Sequence, residues 1–148
     1  MRAVGLIDDI RTSGYRDDGR DAIAVPGSRL TLAEVAEHVR LGADLLAEAR
    51  DFLDGAGRAD DAEIKALTAR CPARIDVRTD ALLAALAEHL LSVRGLPTPA
   101  WAGEESRFLD RFWFVSDVPG LRAPSVAQTP VALKRRGIFW PARSLERV

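Results

Sequence analysis

A chain of 148 residues, 47% hydrophobic and 29% charged with a formal net charge of −1, is long enough to bury one substantial core and has the balance of a globular domain. No apolar run approaches the roughly 18 residues of a membrane-spanning helix, and the opening Met1-Arg2-Ala3-Val4-Gly5-Leu6-Ile7-Asp8-Asp9 turns acidic too early for a secretory signal. A single cysteine, Cys71, excludes an internal disulfide framework and fits a cytoplasmic location.

Residues 1–10 read as a short strand or a frayed end. Residues 11–29, with Gly14, Gly19, Pro26 and Gly27 among Asp and Arg, read as a loop. The chain thus divides into residues 1–29, a short strand or flexible N-terminal segment, and residues 30–148, a helical domain. Thr31-Leu32-Ala33-Glu34 is a capping box. Leu32, Val35, Val39, Gly42, Leu46, Ala49 and Leu53 follow at alternating steps of three and four. That spacing predicts one helix over about residues 32–54, with Gly42 as a weak point or close-packing site and Gly55 and Gly57 as its stop. The same heptad-like face suits a homodimer as readily as a core.

Asp60-Asp61-Ala62-Glu63 is a second capping signal, and it predicts a short helix carrying Ile64 and Leu67 that stops before Pro72. The next helix, about Thr79 to Arg94, has the stripe Leu82, Leu83, Leu86, Leu90 and Val93. As the most apolar helix it belongs at the centre of the fold, with Gly95 and Pro97 ending it. Beyond it, Glu104 to Arg111 reads as helical, with Phe108, Leu109 and Phe112 turned inward. Phe112 to Val115 has the aromatic content of an extended segment. Pro119-Gly120 is a turn. Thr129-Pro130 caps a short helix over residues 130–136 that stops at Gly137. Ile138 to Trp140 is extended, and Pro141 begins a last turn through Leu145. The fold class is mainly α: a compact single-domain helical bundle with an aromatic-rich C-terminal third of short helices.

That last third sets the chain apart. It holds all three tryptophans and four of the five phenylalanines, interleaved with arginines, and residues 121–148 carry six bases against Glu146 alone. Trp and Arg dominate protein–protein hot spots, and aromatic–Arg interleaving also suits nucleic acid. The plain alternative is that the aromatics fill the core. The expected division turns Phe108, Leu109, Phe112 and Ile138 inward and presents Trp101, Arg107, Arg111, Arg135, Arg136 and Trp140 outward. Candidate partner-binding residues are Trp101, Arg107, Arg111, Trp113, Arg122, Lys134, Arg135, Arg136 and Trp140.

Three sharper chemistries find little in the sequence. Ala-Glu-His occurs twice, at Ala36-Glu37-His38 and Ala87-Glu88-His89. A metal site between helices wants Glu and His three apart on one face, whereas these are adjacent. A helix-turn-helix could run from Leu32 through a turn near Arg40-Leu41-Gly42 into a second helix from Ala43. Arg40 stands where such turns usually have glycine, and Asp44, Glu48 and Asp51 would repel phosphate. No nucleophile elbow, nucleotide-binding glycine loop, His-Glu-x-x-His or Cys–His constellation occurs. No catalytic residue, metal or cofactor is therefore assigned, and a small enzyme of unknown class is the third choice.

The stretch from Asp80-Ala81-Leu82-Leu83 through Trp101, Arg107-Phe108-Leu109-Asp110-Arg111 and Arg122-Ala123 to Pro130 and Arg135-Arg136-Gly137-Ile138-Phe139 resembles the tail of small actinobacterial proteins. Some of these accompany helix-turn-helix regulators or toxin–antitoxin-like gene pairs. The resemblance implies an antitoxin-like or accessory role, holding a partner protein such as a toxic enzyme inactive. The expected function is protein binding through the aromatic and arginine surface. On that reading, charge reversal at Arg135 and Arg136 weakens binding and leaves the fold intact. The runner-up is a DNA- or RNA-associated regulator using the basic C-terminal segment, whose affinity would fall steeply with salt.

Overall fold

The computed structural model describes residues 29–116 and 118–145. The reading of residues 1–29 lies, apart from Arg29, outside these described residues. Both capping boxes form. Thr31 Oγ1 accepts from the Glu34 amide at 3.1 Å while the Glu34 carboxylate accepts from the Thr31 amide at 2.9 Å, opening helix α1, Leu32–Arg40. Asp60 and Glu63 exchange the same pair of bonds and open α3, Asp61–Ala69.

The single helix expected over residues 32–54 is two helices. Helix α1 ends at Arg40, and α2 runs Leu45–Ala56. Gly42 has φ +108. Its amide bonds to the Val39 carbonyl, and the Ala43 amide to that of His38. This is the hydrogen-bond pattern of a glycine-terminated helix end, which satisfies carbonyls that a continuous helix would have bonded itself. Asp44 then caps α2 by accepting from the Ala47 amide at 2.9 Å. The three-and-four periodicity survives the break because α1 and α2 face the same core. Leu32, Val35, Ala49 and Leu53 all lie in it, so the face read as a dimer seam is spent inside the chain. Arg29 clips the far end of α2 to α3, donating to the Gly55 and Arg58 carbonyls and pairing with Glu63 at 2.7 Å.

Helix α4, Val77–Ser92, is the spine. Ten of its sixteen residues are buried, which places it at the centre of the fold as its apolar sequence predicts. Alanines at 81, 84, 85 and 87 let neighbours approach it on several sides, so it is buried nearly all round. It packs against α1, α3 and the C-terminal segments. Val93 at its end is exposed, in departure from the expected stripe. Gly95, φ +68, closes it with the same terminal hydrogen-bond pattern as α1.

The C-terminal third wraps α4 with short pieces: 3-10 turns at Ala100–Gly103, Glu105–Arg107 and Pro119–Leu121, and helices α5, Arg122–Gln128, α6, Val131–Lys134, and α7, Ala142–Leu145. Two two-residue strands, β1, Trp113–Phe114, and β2, Ile138–Phe139, pair in parallel with Trp113 opposite Ile138. The helix expected over Glu104–Arg111 is one 3-10 turn, after which Phe108 is extended and the Leu109 amide bonds to the Arg136 carbonyl at 3.0 Å. Long-range pairing has overridden the local preference. Helix α5 was not foreseen, because Leu121 gives it no side-chain cap. Thr129 closes α5 through its hydroxyl to the Ser125 carbonyl at 2.6 Å, rather than capping α6.

Candidate functional site

Eight of the nine candidate residues fall into two groups, and Arg135 stands between them. Trp101, Arg107, Arg136 and Trp140 are buried, which corrects their expected outward presentation. Irregular backbone leaves carbonyls without ladder partners, and an arginine supplies five donors in a planar fork. The Arg107 Nη2 donates to the Pro72 carbonyl at 3.0 Å, and its guanidinium lies over the Trp101 ring at 4.9 Å. The Trp101 indole in turn donates to the Thr68 carbonyl at 3.1 Å, in the last turn of α3.

Arg136 works in the same way on α6 and α4. It donates to the Ala132 carbonyl at 3.1 Å and the Ala102 carbonyl at 2.5 Å, pairs with Glu88 and covers Phe108 at 4.5 Å. Burial pushes its guanidinium below the ordinary arginine value, with the Glu88 carboxylate opposing. It stays charged at neutral pH because arginine starts so high. Its Nε finds no hydrogen-bond partner. Charge reversal at Arg136 therefore attacks the fold, contrary to the expectation that the fold would be spared. Arg135 is half exposed and also pairs with Glu88, at 3.0 Å.

The second group faces outward. Arg111 and Arg122 are exposed, and Trp113 and Lys134 are half-buried. Around them stands a ring cluster that the sequence reading had divided otherwise. Phe112, expected inward, is 74% exposed. It meets Phe139 edge-on at 5.3 Å, Phe114 stacks on Phe139 at 4.8 Å, and Arg122 covers Phe114 at 4.9 Å. The alternation of a strand explains this. Trp113 turns to the opposite face, where Arg78 of α4 lies over its ring at 5.0 Å, so its neighbours Phe112 and Phe114 share the outer one. Val118, Leu121 and Val126 add exposed apolar surface in the segment that follows β1. The signal for Phe112 was available in the sequence: a strand reading of residues 112–115 sends alternate side chains to opposite faces.

Asp44, Glu48 and Asp51 leave α2 acidic along the helix that would read DNA. His38 of α1 is held by Glu48 of α2. Among the described residues no group of three His, Cys, Asp or Glu could hold a metal ion, and no helix is long and apolar enough to cross a membrane. No family model, curated protein or solved structure matches the chain.

Proposed function

We propose that the protein is a binding module, antitoxin-like in role, that holds a partner protein through the outer face of β1. The observation that carries this reading is Phe112, a large ring left 74% exposed on top of Phe139, with the exposed cation Arg111 immediately before it and Arg122 ten residues after it. A preformed aromatic anchor loses little conformational freedom on binding, and flanking guanidinium groups select an acidic rim. The partner is a protein with an apolar pocket edged by Asp or Glu, and the cytoplasm is the proposed setting. Support for a phosphate-binding tail is thinner, because Arg136 is buried and Arg135 is engaged by Glu88.

The test is affinity capture from the native host with and without nuclease, using the wild-type chain and a Phe112→Ala/Arg122→Ala variant. A stoichiometric protein that survives nuclease and is lost with the variant supports the reading. Capture that nuclease abolishes would transfer it to nucleic acid, and a partner held equally by the variant would remove this face from the interface.

A further inference from the structure

A cleft of about 360 Å³ lies between α2 and the C-terminal end of the chain. Arg50 of α2 and Arg143 of α7 both line it, with Trp140, Leu121 and Pro124 as apolar wall and Ser125 as a hydroxyl-bearing residue. We infer that this cleft is a binding site for a small aromatic carboxylate. The inference concerns a different site from the β1 face and does not rest on the partner-binding reading.

Three features set the ligand class. The first is charge: two guanidinium groups, 93 positions apart in the chain, share one cleft, and none of the described residues lining it is acidic. Like charges gathered in one concave, partly apolar site repel, and an anion between them replaces that repulsion by attraction. The second is geometry. Arg50 lies over the Trp140 ring with its central carbon 5.4 Å from the centroid. A guanidinium held over a ring face keeps its N–H donors for other partners, and a planar fork of such donors receives a carboxylate. The third is size. The volume is at the lower end of the usual range for small-molecule sites, about 300–1,000 Å³, which admits one or two rings against the Leu121, Pro124 and Trp140 wall. Trp140 is 2% exposed and so forms a fixed surface rather than a mobile flap.

The test follows amide and indole N–H resonances of the full chain during titration with 2-naphthoate and, separately, with neutral 2-naphthamide. Saturable shifts at Leu46, Ser125 and the Trp140 indole with naphthoate, and binding of naphthamide roughly 10-fold weaker or more, are expected from one charge-assisted hydrogen bond. Arg143→Gln, at an exposed position, should weaken naphthoate by a similar factor, whereas Arg111→Gln should not change it. No saturable shift in the cleft, equal affinity for acid and amide, or an Arg143→Gln variant that binds naphthoate like the wild type would each overturn the assignment.

Discussion

Arg135 and Arg136 are adjacent in sequence, both reach Glu88, and do different work. Arg136 has no exposed side-chain surface, and it satisfies two backbone carbonyls besides its ion pair. Arg135 keeps about half its side chain in water. Removing a buried charge's partner is costly, whereas a half-exposed pair contributes little. Arg136→Ala should lower the unfolding free energy by about 3 kcal/mol, and Arg135→Ala by less than about 1 kcal/mol, as read from urea denaturation midpoints at constant slope. Nothing within a few residues of Arg136 announces this difference. Its partner Glu88 is 48 positions away and the Ala102 carbonyl 34, so only the tertiary structure separates a staple from a surface cation. Arg107 likewise reaches distant backbone acceptors, the Pro72 carbonyl 35 positions away and the Asp80 carbonyl 27.

The elements divide by whether their signals are local. Capping boxes at Thr31 and Asp60 act over three residues, and both helix starts were legible from them. Thr31→Ala and Asp60→Ala should each cost about 1 kcal/mol, measurable in the same denaturation series. The apolar run of α4 was legible too, because a helix buried on nearly every side must be apolar on nearly every side. Periodicity misled at Gly42. It reports which face is buried, and two helices on either side of a turn can bury one continuous face. The glycine itself was the better signal, since φ +108 is a conformation that side chains rarely adopt. A Cβ there would meet nothing within 4 Å, so Gly42→Ala should destabilise through backbone strain alone, by about 1–2 kcal/mol. A Gly42→Ala protein as stable as the wild type would mean that the turn is held by something other than its glycine. Helix α5 was illegible because its start at Leu121 carries no side-chain cap, and the lost helix at Glu104–Arg111 because the pairing of Leu109 with Arg136 across the fold overrides the local preference.

At the scale of the whole molecule, the aromatic and arginine end splits into an inner and an outer part. Trp101, Arg107, Arg136 and Trp140 bind the irregular C-terminal third to the helices beneath it. Phe112, Phe114, Arg111 and Arg122 form the outer part, the surface proposed above for a partner. Composition alone, with three tryptophans and a basic last segment, gives both parts the same look, which is why the sequence reading assigned buried residues to the surface and Phe112 to the core. The split is tested most directly by equilibrium urea unfolding of Phe112→Ala beside Arg136→Ala. The account predicts that Phe112→Ala stays within about 0.5 kcal/mol of the wild type, as expected for an exposed side chain, while Arg136→Ala loses about 3 kcal/mol. A Phe112→Ala protein destabilised as much as Arg136→Ala, or an Arg136→Ala protein unfolding with the wild type, would contradict it.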